Sequence, residues 1–155
     1  MLNKSQKLLY QIIKETRGID DKTVLAKLQY FADFIHYAFN GHPISEENII
    51  YTRQKMGALS RTLTEDLETL KKEGYIAEVK KYHYQQSKQL DINLTGSELK
   101  TIRYVISKYG KLGYQDLVKI CHEQEPYLSA TDGGVIELFT AYNLIDNYND
   151  YKDFS

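Results

Sequence analysis

Leucines between residues 59 and 70 are spaced in a way that predicts one face of a helix. Leu59, Leu63, Leu67 and Leu70 recur at intervals of four, four and three residues, the spacing that keeps side chains on one face. Thr62 and Glu65 have the spacing of a capping box, and Gly74 stands where a left-handed residue ends a helix. We therefore expect a leucine-striped helix that ends at Gly74.

Beyond Gly74 the apolar residues alternate with polar ones, which indicates strands with one buried face. The alternating residues are Ala77 and Val79, then Leu90, Ile92 and Leu94, and the polar run 84–88 separates the two sets. Thr95 and Glu98 form a second capping box at the start of a helix that Gly110 ends. This order of helix, hairpin and helix is typical of a winged helix.

Four more segments complete the expected fold, and the helices number six in all. A helix at residues 5–16 precedes a longer one, from Asp20 or Asp21 to Phe39, whose largely apolar circumference belongs in the centre of the fold. Helices at 114–121 and 135–142 follow, separated by Pro126 and the run 132–134. Residues 146–155 are a polar Asn/Asp/Tyr tail without periodicity, so the expected single domain spans residues 1–145.

The predicted fold class is thus mainly α (α+β), a compact helical domain with a winged-helix-like segment. Its one small antiparallel β-hairpin is expected between about residues 75 and 93.

Composition and charge narrow the classes of function. Hydrophobic residues make up 42% and charged residues 26%, as in soluble globular proteins, and the net charge of −1 gives no general attraction to a phosphate backbone. No stretch approaches the roughly 20 apolar residues of a membrane-spanning helix, and the amino terminus lacks a secretory signal. Because the single cysteine, Cys121, cannot form an internal disulfide, we expect a cytoplasmic protein without membrane contact.

Candidate catalytic and metal-binding groups are sparse. Cys121 and His122 are adjacent, but neighbours on a helix point about 100° apart and do not by themselves form a nucleophile and base pair. The four histidines show no ligand spacing, one cysteine excludes a thiolate-rich zinc site, and nucleotide-binding glycine motifs are missing. The sequence therefore predicts a protein that is not an enzyme, with no catalytic residue, metal or cofactor.

Lysines on the predicted helix and hairpin support an alternative function. The candidate nucleic-acid contacts are Lys71 and Lys72 on the helix and Lys80, Lys81 and Lys88 on the hairpin. Acidic residues at 65, 66 and 68 lie on the same helix and repel phosphate. A winged-helix DNA-binding transcriptional regulator is therefore the second candidate, and a solvated surface explains each lysine taken singly.

A succession of short motifs resembles one protein family. The motifs occupy residues 26–34, 41–44, 51–60, 94–98, 109–110 and 121–127. In this order they are similar to the Panacea domain family of SocA-like antitoxins and phage-associated proteins, encoded beside diverse toxin genes. Ala58 stands where relatives usually have proline, and Tyr127 where they usually have tryptophan.

The resemblance implies a non-enzymatic antitoxin that binds a cognate toxin, or a SocA-like adaptor that presents a toxin to a protease. Residues in or next to two of these motifs, 51–60 and 121–127, have positions that the periodicity of core residues does not explain, and they indicate a partner-binding surface. They are Tyr51, Arg53, Gly57 and Arg61, together with His122, Glu123 and Tyr127 at a proline-broken helix end. In the alternative interpretation, Gly57 only permits a turn and His122 caps a backbone carbonyl. A tyrosine excess, 14 Tyr against 5 Phe, suits protein interfaces.

Overall fold

One long helix, α2, forms the centre of the structure. The computed structural model describes all 155 residues, and it contains six α-helices, five short strands and a 3₁₀ segment. The helices are α1 (Lys4–Glu15), α2 (Lys22–Asn40), α3 (Leu63–Lys72), α4 (Gly96–Tyr109), α5 (Tyr114–His122) and α6 (Glu125–Leu128). The strands are β1 (Tyr51–Gln54), β2 (Gly57–Ser60), β3 (Ile76–Lys80), β4 (His83–Gln86) and β5 (Val135–Ile136), and the 3₁₀ segment spans Leu138–Tyr151. The predicted mainly α (α+β) fold class is confirmed, although the structure has two small antiparallel sheets where one hairpin was predicted.

Helix α2 is buried because its sequence leaves no continuous polar face. It packs against α1, α4, α5, β2 and the 3₁₀ segment, with Tyr30, Phe31 and Phe34 fully buried. The Asp21 carboxylate accepts hydrogen bonds from two backbone N–H groups at the start of the helix, and Gly41, at φ +81°, ends it. The central position expected for this helix is confirmed. None of the helices combines the length and the apolar character needed to cross a membrane.

An antiparallel three-stranded sheet in the order β2-β1-β5 lies against α2, and it was not predicted. Its register places Tyr51 opposite Ser60 and Gln54 opposite Gly57. Leu59 belongs to β2, so its assignment to the leucine-striped helix was wrong. Backbone pairing with β1 decides the conformation here, which side-chain spacing within one segment cannot reveal.

Helix α3 consequently begins at Leu63. Thr62 is the N-cap residue of α3. The capping box predicted between Thr62 and Glu65 does not form, because the Thr62 hydroxyl donates to the Asp66 carboxylate instead (2.9 Å). Asp66 also accepts from the Ser5 hydroxyl (2.9 Å), which joins α3 to α1. The second predicted capping box, Thr95 with Glu98 in α4, is confirmed.

The hairpin β3–β4 is shorter than predicted. Its second strand falls in the polar run expected as the loop, and the chain reverses at Tyr82, which has φ +66°. The buried side chains are Ile76 and Tyr84 rather than Ala77 and Val79, and Tyr84 also pairs through its backbone with Ile19. Tyr84, which was assigned to the polar run, thus contributes to the buried face of the hairpin. Leu90, Ile92 and Leu94 pack against the core without forming a strand.

The C-terminal residues pack along α2. Instead of the helix expected at 135–142, the chain forms β5 and then the 3₁₀ segment. Tyr148 is buried, accepts a hydrogen bond from the Tyr109 hydroxyl (2.8 Å) and accepts another from the Gln124 amide (2.7 Å). Tyr151 is also buried, with its hydroxyl 2.7 Å from that of Thr101. Packed structure therefore continues beyond residue 145.

Candidate functional site

Side chains from α2, α5 and α6 converge on the turn between β1 and β2, residues 54–57. Gly57 ends this turn with φ +104° and is buried. A Cβ atom at this position would lie 2.7 Å from Cε of Lys27 and 3.1 Å from Sγ of Cys121. Glycine is therefore required twice, for its positive φ and for the close approach to α2 and α5.

One side of the turn is formed by the Arg53 cluster, which we define as Arg53, His122, Tyr127 and Asp132. The Arg53 guanidinium donates to the backbone carbonyls of Ala130 (2.7 Å) and Tyr127 (3.3 Å), and its Nε lies 3.2 Å from an Asp132 carboxylate oxygen. It also lies over the Tyr127 ring, 4.4 Å from the centroid. Arg53 thus ties β1 to α6 and to the loop that follows it.

His122 and Tyr127 hold the backbone of the turn. Their rings stack with centroids 4.5 Å apart and planes 24° apart. His122 Nε2 donates to the carbonyl of Lys55 (3.0 Å), and the Tyr127 hydroxyl donates to the carbonyl of Gln54 (3.0 Å). The structural roles weighed in the sequence analysis are therefore present, since His122 caps a carbonyl and Gly57 forms a turn.

The remaining residues of the predicted partner surface lie elsewhere. Tyr51 is only 1% exposed, and its hydroxyl donates to the buried Asp33 carboxylate (2.6 Å), so Tyr51 supports β1 from within the core. Arg61 is exposed beyond the far end of β2, with its N–H bonded to the carbonyl of Ile50 (2.9 Å). Glu123 is exposed at the end of α5. The structure therefore brings Arg53, Gly57, His122 and Tyr127 together, but places Arg61 apart and Tyr51 out of reach.

The other side of the turn borders a groove of about 670 Å³, which we call the Lys27 groove. The buried residues along it are Ala26, Lys27, Gly57 and Leu63, and the exposed apolar ones are Met56, Tyr82 and Tyr114. Four lysines and two aspartates line it (Lys22, Lys27, Lys55 and Lys81, with Asp20 and Asp21). It is therefore a cationic groove with an apolar rim.

Lys27 is the unusual residue of this groove. It is 1% exposed, its ammonium donates to the Ala58 carbonyl, and no carboxylate lies within ion-pair distance of it. Burial lowers the pKa of Lys27 to about 8, against a smaller opposing effect of the Cys121 thiol. This is an ammonium group with spare donors and no counter-ion.

Cys121 and His122 point to different partners, as helix geometry predicts. The Cys121 sulfur accepts the N–H of Ala58 (3.3 Å), and burial raises the pKa of its thiol. His122 faces Lys55 on the outer side of the turn. No three His, Cys, Asp or Glu side chains are grouped in a way that could hold a metal ion.

The lysines of the DNA-binding alternative have different environments. The Lys71 ammonium lies 2.7 Å from carboxylate oxygens of both Glu68 and Glu78, and these hydrogen bonds raise its pKa. The Lys88 ammonium lies over the Tyr75 ring, 4.4 Å from the centroid. The three others, Lys72, Lys80 and Lys81, are exposed and form no ion pair.

Sequence reasoning missed four residues beside the turn: Lys27, Met56, Tyr114 and Asp132. A signal for Lys27 was present, because Lys27 and Asp33 are the only Lys, Arg, Asp or Glu residues in the otherwise apolar stretch 24–39. A charge on a buried helix requires a partner or a function. Tyr114 and Asp132 are brought to the turn only by long-range packing, and Met56 lies within a turn that was itself not predicted.

Comparison with known families gives one match. The model of the antitoxin SocA-like, Panacea domain matches residues 25–127. This range includes most of α2, the β1–β2 turn, α5 and the Arg53 cluster except Asp132. Neither a curated protein nor a solved structure matches the chain.

Proposed function

We propose, because the chain belongs to the antitoxin SocA-like, Panacea domain family, that it neutralises a cognate toxin by forming a direct complex with it. The family match over residues 25–127 carries this proposal, and it supports a role of the toxin–antitoxin type in general. In this proposal the protein acts by binding alone, without a catalytic residue, metal or cofactor.

The contact surface that we propose centres on the β1–β2 turn. His122 and Tyr127 hold the turn in place, while Gln54, Lys55 and Met56 at its tip are exposed. Because the tip is already fixed, it loses little conformational entropy when a partner binds to it. Glu123 and His122 extend this surface along α5, and Arg61 extends it beyond the far end of β2.

The test is co-expression with the toxin encoded in the adjacent reading frame. Wild-type protein should protect cells and co-purify with the toxin as a complex of fixed stoichiometry. Arg61→Glu and Glu123→Lys should weaken protection while changing the free energy of unfolding by less than about 0.5 kcal/mol, because both side chains are exposed. Lys152→Glu, an exposed charge reversal near the C-terminus, is the matched control and should protect fully.

Two results would contradict parts of this proposal. Failure of the wild-type protein to bind the toxin would refute direct neutralisation. Full protection by both folded reversal variants would show that the toxin contacts a different surface. Toxin half-life separates the two antitoxin modes, because a direct inhibitor leaves the amount of toxin unchanged whereas a SocA-like adaptor shortens its lifetime through a protease.

A DNA-binding regulator remains the second candidate. The observation in its favour is the order α3, β3–β4, α4, with Lys80 and Lys81 exposed on the hairpin. Phosphate contacts make binding strongly salt-dependent, so an electrophoretic shift of duplex DNA at physiological ionic strength is the relevant measurement. A shift that Lys80→Ala and Lys81→Ala both reduce would favour this function over toxin binding.

A further inference from the structure

We infer that the Lys27 groove receives an acidic segment of the toxin. In this inference an Asp or Glu carboxylate of the segment pairs with the Lys27 ammonium, and its apolar neighbours contact Met56, Tyr82 and Tyr114. The inference rests on the proposed function, because it specifies how the toxin is held.

The first reason is the hydrogen bonding of Lys27. An ammonium group has three N–H donors, and within the chain that of Lys27 donates only to the Ala58 carbonyl. Buried charges in proteins are normally paired, since leaving one unpaired is costly. Here no carboxylate of the chain lies within ion-pair distance, although Asp20 and Asp21 line the same groove. In this inference the toxin supplies the counter-ion that the chain itself lacks.

The second reason concerns which anion fits. Phosphate groups are commonly bound by free N–H groups at a helix N-terminus, and α2 begins in this groove. However, the Asp21 carboxylate already accepts the N–H groups of Thr23 (2.7 Å) and Val24 (3.2 Å). With these donors occupied and a carboxylate beside them, the groove favours a singly charged carboxylate over a phosphate.

The third reason is the exposed apolar surface along the rim of the Lys27 groove. Met56, Tyr82 and Tyr114 are 41%, 44% and 40% exposed, and they give the groove that Lys27 lines an apolar rim. Methionine and tyrosine are typical of protein-binding surfaces. A free carboxylate would leave this rim uncovered, whereas a peptide segment covers the rim and brings the carboxylate to Lys27 at the same time. The groove volume of about 670 Å³ is within the range of ligand-binding clefts.

The decisive variant is Lys27→Met, which keeps the length and the apolar stem of the side chain but removes its charge. The substitution removes a desolvated charge but also takes the donor from the Ala58 carbonyl, and because these two effects oppose each other, the urea midpoint should change little. Loss of one partner of a buried charge pair weakens complexes strongly, so toxin affinity should fall at least about 30-fold. A merely structural role for Lys27 predicts the opposite pattern, with lower stability and unchanged affinity.

The probe is the purified toxin, followed by overlapping synthetic peptides that cover its sequence. The peptide that binds should lose affinity when its Asp and Glu residues are replaced by Asn and Gln. Lys72→Met, an exposed lysine outside the groove, is the matched control and should bind like the wild type. If Lys27→Met does not fold, the double variant Met56→Ser/Tyr114→Ser decides, with an expected loss of at least about 10-fold.

The outcomes separate the inference from the function on which it rests. If the wild-type protein binds the toxin and folded Lys27→Met binds it equally well, the groove is not the contact, while direct neutralisation stands. Equal binding of acidic and amide peptides would also overturn the inference. Self-association that Lys27→Met abolishes in light scattering would assign the groove to a second copy of the chain instead. If the wild-type protein does not bind the toxin, both proposals fail.

Discussion

The Tyr51 hydroxyl donates a 2.6 Å hydrogen bond to the carboxylate of Asp33, 18 residues earlier in the chain. The same carboxylate accepts the backbone N–H groups of Ile44 (2.9 Å) and Ser45 (2.8 Å) and the Ser45 hydroxyl (2.7 Å). One buried carboxyl group of α2 therefore positions both the loop that follows this helix and the first strand of the sheet.

This carboxyl group makes stability depend on pH. Burial raises the pKa of Asp33 from 3.8 to about 6, although hydrogen bonds from Tyr51, Ser45 and Ile44 oppose the rise. Between these values the folded protein keeps a proton that the unfolded chain releases. The contribution of Asp33 to the free energy of unfolding therefore falls as the pH rises from about 4 to 7, by up to about 3 kcal/mol.

Asp33→Asn removes this ionisation and keeps a side-chain carbonyl acceptor. In urea unfolding at several pH values between 4 and 7.5, the variant should gain stability relative to the wild type as the pH rises. Curves that stay parallel over this range would show that the Asp33 carboxyl titrates in the folded protein as it does in the unfolded chain.

Gly57→Ala should destabilise the protein more than Gly74→Ala. Both glycines have positive φ, +104° and +79°, so alanine is strained at either position. The Cβ added at Gly57 meets Cε of Lys27 at 2.7 Å, whereas nothing lies within 4 Å of the one added at Gly74. We expect Gly57→Ala to cost about 1–3 kcal/mol more in the free energy of unfolding. Equal urea midpoints for the two variants would contradict the close packing of the turn on α2.

Arg53→Ala should lower stability even though Arg53 lies at the proposed binding surface. The substitution removes two donors to the carbonyls of Ala130 and Tyr127 and the contact with the Tyr127 ring. The expected cost is about 2–3 kcal/mol in thermal or urea unfolding. Arg61→Ala is the matched control because Arg61 is exposed, and it should change stability by less than about 0.5 kcal/mol. A similar small effect for both would refute the structural role of Arg53.

Removal of residues 146–155 should prevent stable folding, although the sequence predicts a polar tail outside the domain there. The truncation deletes the buried Tyr148 and Tyr151, and losing a buried aromatic side chain costs about 3–5 kcal/mol. Two such losses are comparable to the whole stability of a domain, about 5–15 kcal/mol. Truncation after Tyr151 keeps both tyrosines and should leave a cooperative thermal transition. A folded 1–145 fragment would restore the domain boundary predicted from the sequence.

The elements predicted correctly have their determinants close together in the chain. Helix α2 has a continuous apolar pattern with Asp21 and Gly41 at its ends, and α4 has a capping box at residues 95 and 98. Strand β1 pairs with β5, and this pairing joins Tyr51 to Ile136 across the chain. The spacing of apolar residues within one segment contains no information about a pairing with a distant strand. The three-stranded sheet was therefore not predicted.

The sequence indicated only those residues of the candidate site that belong to short local motifs. Arg53, His122 and Tyr127 were selected because each belongs to a short motif, and the structure places them side by side, while their contact with a partner stays a prediction. The Lys27 groove draws on residues 20–27, 54–63, 81–82 and 114, which only the tertiary fold places side by side. Tyr51 was misplaced because an aromatic residue at a strand end has the same sequence pattern whether it faces the core or the solvent.

Packing of the 3₁₀ segment on α2 also determines when a new chain can finish folding. The Tyr151 hydroxyl contacts Asn40, at the end of α2, from a position 111 residues later in the chain. At about 5–20 residues per second, a ribosome needs roughly 6–20 s to synthesise that distance. During this interval the apolar surface of α2 is incompletely covered and accessible to chaperones and proteases. Each newly made molecule can therefore complete its fold only after translation has passed Tyr151, and a stop codon shortly before Tyr148 should leave a chain that does not fold stably.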